Sequence, residues 1–219
     1  MPVRVIAIDV AAGAIGVVVW YLSFRYYNRR KGSEALRWIQ HAFHGHAEVA
    51  GVQWSGACYF QAQLRLAPTL FRRASLVVRL FPREVPVCWL LSRMRKQQET
   101  LTFQADLDCP PSFNLEVHNH RWFGRTRRRF PVRGDNCTLE QAGPFVLTTR
   151  NDWQRDITSM MGALVASREC DCLTVCFRRT SPHFSVTVPL GTLSPASGTN
   201  AYIFDVLREL AAGAASARF

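Results

Sequence analysis

Hydrophobic positions first run together along this chain and then break into short repeats. The stretch bounded by Val5 and Phe24 is apolar apart from Asp9, and Arg25, Arg29, Arg30 and Lys31 follow it at once. About 20 residues rising roughly 1.5 Å each reach about 30 Å, the hydrocarbon thickness of a bilayer, so the stretch predicts one transmembrane helix. It is too long for a signal-peptide core, and it leads into Trp20, Tyr21, Tyr26 and Tyr27 instead of a small-residue cleavage site. Those aromatic residues and the basic cluster read as an interfacial belt. Only Arg4 and the terminal amine precede the span, so the positive-inside rule expects an N-out, C-in protein of the inner (plasma) membrane, with most of the chain cytoplasmic. Asp9 then falls near the outer interface, where a carboxylate reaches water. Asp9, Gly13 and Gly16 share a helix face, and Ala12 with Gly16 makes a small-x-x-x-small pair of the kind that lets two helices approach.

Beyond the span the period changes. Ser33 is placed to cap a short helix through Leu36, Ile39 and Phe43, with Gly45 as its stop. Residues 52–66 alternate apolar and polar positions and predict one long strand; further strands are expected over 75–81, 85–91, 100–107 and 113–117. Pro82 with Pro86, and Pro110 with Pro111, punctuate them, which gives an antiparallel meander. A second block predicts a helix over 152–166, strands over 172–178 and 184–189, and a last helix over 201–212. The expected class is α+β: a membrane anchor with its basic segment over 1–31, a β-rich part over 32–134, and a helix-strand-strand-helix part over 135–219 belonging to the same domain.

Composition narrows the partners. A net charge of +11 and a pI near 10.0 invite nucleic acid. Of the 27 basic residues, however, only Lys31 and Lys96 are lysines, the bias a GC-rich genome imposes without selection for phosphate binding. A tethered domain also meets anionic headgroups first, at about 1 kcal/mol per basic residue near the surface, so lipid is favoured over nucleic acid. Seven cysteines without a framework spacing suit a reducing cytoplasm.

Motifs that carry chemistry are scarce. His118 and His120 would share a strand face, but no third ligand stands at an obvious spacing. His41, His44 and His46, with Glu48 beside them, read as a polar helix end complementing the helix dipole before they read as a metal site. Cys170, Cys172 and Cys176 are expected on one side of a strand, opposite Leu173, Val175 and Phe177, as small buried hydrophobes. Phosphate loops, dinucleotide fingerprints and nucleophile elbows are missing from the sequence, and no catalytic, cofactor or metal residues are assigned. The best candidate surface is Arg125, Arg127, Arg128, Arg129 and Arg133 interleaved with Trp122, Phe123 and Phe130, a composition that suits headgroups or the acidic patch of a protein. The leading expectation is a non-catalytic cytoplasmic interaction or scaffolding domain on a single-pass anchor, with a protein partner or a second copy of the chain. Alternatives are binding of a lipid or small apolar ligand by a curved sheet, and a membrane-tethered metallohydrolase.

Overall fold

A computed structural model describes residues 2–43, 45–66, 70–119, 137–142, 145–150, 172–192 and 203–216. The chain begins with one helix, α1 (Pro2–Ala42), of 41 residues. At 1.5 Å per residue it is about 60 Å long, twice what a bilayer core requires. Its two halves face different surroundings. Ile6, Ile8, Val10, Ile15, Val17, Val18, Val19 and Leu22 are all between 56 and 68 % exposed, and this half is long and apolar enough to cross a membrane. From Asn28 onward the buried positions are Asn28, Gly32, Ala35 and Ile39, one stripe at helical spacing that lies on the folded domain. No second helix starts at Ser33, contrary to expectation. Its hydroxyl donates to the Arg30 carbonyl at 2.7 Å inside the helix, so the side chain is satisfied without capping anything. Gly45, with φ +86°, follows the helix end, as expected of a stop.

A nine-stranded antiparallel sheet follows: β1 (Ala47–Trp54), β2 (Tyr59–Leu66), β3 (Phe71–Arg79), β4 (Thr100–Leu107), β5 (Leu115–Asn119), β6 (Cys137–Ala142), β7 (Phe145–Arg150), β8 (Thr174–Phe177) and β9 (Phe184–Pro189). The first four form a meander, but the strand expected to continue it over 113–117, here β5, pairs with β7 and β8 instead of β4. The β8–β9 hairpin then occupies the next two places, β9 pairing with β4 and β8 with β5, and β7 and β6 complete the sheet. Helix α2 (Pro86–Met94) lies between β3 and β4, and α3 (Ile203–Ser216) follows β9.

Two expectations over the meander are corrected. Residues 52–66 are not one strand but the paired halves of the β1–β2 hairpin, reversing at Ser55 and Gly56, where Gly56 takes φ +90°. Alternation of period two runs through a reversal unchanged, so only the glycine betrays the turn. Residues 85–91 are not a strand but most of α2. Pro86 opens that helix at a position where a missing N–H costs nothing. The expected helix over 152–166 and the arginine segment Arg125 to Arg133 lie outside the described residues, as do His44, His120 and Cys170.

One sheet face carries the core. Phe60, Ala62 and Leu64 of β2, Leu76 and Val78 of β3, Leu101 and Phe103 of β4, and Phe184, Val186 and Val188 of β9 meet Ile39 and Phe43 at the end of α1 and Phe204, Leu207 and Leu210 of α3. Phe43 stacks 6.3 Å from Phe103 and meets Phe204 edge-on at 5.5 Å, which ties both helices to the middle of the sheet. The space among Phe43, Leu76, Phe103, Val186 and Leu207 amounts to only about 10 Å³, at most one water molecule.

At Gly32 α1 comes close to the sheet. A Cβ there would overlap the end of the Trp54 ring, which is held by Phe60 at 4.6 Å and covered by the Arg29 guanidinium at 4.3 Å. Gly32→Ala is therefore expected to lower stability by about 1–2 kcal/mol, overpacking outweighing the better helix propensity of alanine. Gly13→Ala has nothing within 4 Å to disturb. Thermal unfolding of the two variants in mild detergent checks this; equal midpoints would show that the contact at Gly32 relaxes freely.

Candidate functional site

Polar groups converge where α1 leaves its exposed half and enters the domain. The Trp20 indole N–H donates to the Arg83 carbonyl at 3.0 Å, and its ring lies 6.4 Å from Trp89 of α2. Two turns on, the buried Asn28 amide donates to the Phe81 carbonyl at 3.0 Å and to Glu84 Oε2 at 2.8 Å, while its oxygen accepts from Arg83 Nη1 at 3.1 Å. Glu99, just before β4, is 8 % exposed. It accepts the Phe81 N–H at 3.2 Å, pairs with Arg83 Nη1 at 2.8 Å, and takes Lys31 Nζ from the helix. Arg83 also lies over the Tyr27 and Phe81 rings, at 5.1 and 5.3 Å. A buried carboxylate with two cationic partners and a backbone donor is satisfied as a set, and removing the carboxylate leaves its buried partners unpaired at low dielectric.

The basic residues expected to face anionic lipid therefore divide. Lys31 is committed to Glu99 and Arg29 to the face of Trp54. Arg25, 6.0 Å over the Tyr21 ring, and Arg30, paired with Glu34 at 3.3 Å, stay on the exposed surface. The interfacial aromatics divide in the same way: Trp20 docks on the domain, whereas Tyr21, Tyr26 and Tyr27 remain 41, 72 and 49 % exposed. Phe24 packs on Trp20 at 4.5 Å. Asn28, Arg83 and Glu99 did not stand out in the sequence. The one available signal was an acid at Glu99 in an otherwise basic neighbourhood, seen only once α1 is known to run past it.

The sheet face away from the core is polar. Thr102 and Thr187 oxygens lie 3.2 Å apart across β4 and β9. Further along, His118 Nε2 is 3.4 Å from Glu116 Oε1 and its Nδ1 is 3.4 Å from Thr174 Oγ1, while the Cys176 thiol donates to Glu116 at 3.7 Å. The hydrogen bond from His118 holds the Glu116 carboxyl below the usual range, against the effect of burial. Burial, with the Glu116 charge behind it, pushes the Cys176 thiol up to about 12, so it is no thiolate at neutral pH. Cys172 does not share this face, contrary to expectation. It precedes β8 and joins the apolar core, because the strand starts at Thr174 and its alternation does not extend back that far. His41 is exposed on α1, and His46 stacks on Phe204 at 4.8 Å beside Glu48. Among the described residues no three His, Cys, Asp or Glu side chains converge as a metal site. A groove of about 650 Å³ crosses the polar ends of β2, β3 and β4, lined by Gln61, Gln63, Arg65, Arg72, Gln104 and Asp106 among others.

Comparison with known proteins adds a likeness among solved structures. No protein-family model matches the chain, and no curated protein does. Among solved structures it is similar to a chain described as the crystal structure of the mycobacterial trehalose monomycolate transport factor A, TtfA, at 11% sequence identity and a TM-score of 0.44, covering 85% of this chain and 93% of that one.

Removing the buried carboxylate with Glu99→Ala is expected to cost about 3 kcal/mol, since it strands Arg83 and the Phe81 N–H. Lys31→Met, at a side chain 32 % exposed, is expected to cost below about 1 kcal/mol. Denaturant titration in mild detergent compares them, and equal losses would remove Glu99 from the centre of the site. Alkylation of the native protein at pH 7, read by peptide mass spectrometry, is expected to modify the exposed Cys109 and to spare Cys172 and Cys176. Early labelling of Cys176 would show that its thiol is accessible and reactive.

Proposed function

We propose that this chain is a single-pass protein of the inner membrane, N-out and C-in, whose cytoplasmic α+β domain is a non-catalytic interaction or scaffolding module held in a set orientation at the membrane surface. One observation carries this: the helix long enough to span a membrane continues unbroken into the domain and is fastened there through Trp20, Asn28 and Lys31. A flexible linker would let the domain tumble. A continuous helix with buried polar fasteners presents the same faces to the cytoplasm in every copy.

The same geometry bears on one alternative. A lipid or apolar ligand enclosed between sheet and helices needs hundreds of cubic ångströms, whereas the space lined by Phe43, Leu76, Phe103, Val186 and Leu207 among the described residues is about 10 Å³. The groove of about 650 Å³ is polar and lies on the other face of the sheet; its amides, arginines and Asp106 suit the mixed polar rim of a protein partner. Arg25 and Arg30 on the surface of α1 remain available for anionic headgroups beside the span.

Native mass spectrometry of the full-length protein, tagged at its C-terminus and extracted from its own membranes in mild detergent, tests the partner. A defined additional polypeptide or a dimer mass is expected. A monomer retaining a small apolar mass would transfer the function to ligand binding. A green fluorescent protein fused to the C-terminus is expected to fluoresce, and alkaline phosphatase fused there to stay inactive; the reverse pattern would invert the topology.

A further inference from the structure

Helix α2 is amphipathic the wrong way round for a helix of a folded domain. Val87, Leu90, Leu91 and Met94 stand at i, i+3, i+4 and i+7, one continuous stripe, and are 67, 54, 44 and 72 % exposed. The side turned inward carries Ser92, the buried residue of the helix, and the partly covered Trp89. Ordinary packing puts the apolar stripe inside and the serine out.

Position and charge say what covers the stripe. Trp89 lies 6.4 Å from Trp20, and Trp20 is hydrogen-bonded to Arg83, three residues before α2 begins. The helix therefore sits level with the last turns of the exposed apolar half of α1. Its far end carries Arg93 and then Arg95 and Lys96, all exposed, and residues 86–96 contain no acid. Apolar residues followed by a basic end match the acyl boundary and the anionic headgroups above it.

We propose that α2 is a second membrane contact, lying in the headgroup layer of the leaflet that α1 exits, with Val87, Leu90, Leu91 and Met94 in the acyl boundary. This inference rests on the membrane-anchor reading of α1 given above. Together the two contacts would set both the height and the rotation of the domain about the helix axis.

Photocrosslinking of the full chain in its native membranes tests it, with a benzoylphenylalanine placed singly at Ile15, Leu90, Met94 or Arg65. Arg65 is an exposed residue at the distal end of β2. Phospholipid adducts at Leu90 and Met94, at a yield roughly tenfold above Arg65, are the expected result, and adding Leu91→Glu should cut the Met94 yield about tenfold. Polypeptide adducts at Leu90 and Met94, or no adducts there while Ile15 yields lipid, would overturn the inference and leave the anchor standing. Lipid at Leu90 without lipid at Ile15 would keep α2 on the membrane and overturn the anchor instead.

Discussion

An uninterrupted α-helix keeps its phase from end to end, so the 100° step that turns Asn28, Gly32, Ala35 and Ile39 toward the sheet also decides which way every upstream side chain points. α1 is such a helix through 41 residues. Its first half is exposed and apolar, its second half is part of the core, and nothing flexible lies between them. The rest of the architecture is arranged around that continuity. The sheet offers α1 an apolar groove at Ile39 and Phe43 and a close approach at Gly32, and the segment from Phe81 to Glu99 grips it from the side.

The grip is polar. Asn28 uses its amide and carbonyl on Phe81, Glu84 and Arg83, and Glu99 gathers Lys31, Arg83 and a backbone N–H. Directional bonds of this kind contribute little net stability over apolar packing, but they tolerate only one register of helix against sheet. That is the property a rigid connection needs.

The polar face of the sheet contrasts with this junction. Its Glu116, His118 and Cys176 bond to one another and to Thr174, and the burial that raises the Cys176 thiol keeps it unreactive. The cluster behaves as a cross-strand polar patch, each group satisfying its neighbour. The groove over β2, β3 and β4 lies on the same face and is lined by amides, arginines and Asp106.

Several features were legible in the sequence. That the N-terminal stretch forms a helix long and apolar enough to cross a membrane follows from its run of about twenty apolar residues. The bounds of β4 and β9 follow from clean alternation between one buried and one polar face. What α1 does after Lys31, and what residues 85–91 become, did not follow. Val85, Val87, Trp89 and Leu91 satisfy a period of two while Val87, Leu90, Leu91 and Met94 satisfy the helical one, so the pattern alone is degenerate. Only docking beside Trp20 resolves it in favour of the helix. Likewise Gly32 and Ser33 look like a break until Trp54 is seen to need the space a side chain would fill. Local pattern determined which surfaces are apolar; tertiary contact decided which neighbour each surface meets, because the partners of Asn28 and Lys31 lie more than fifty residues away along the chain.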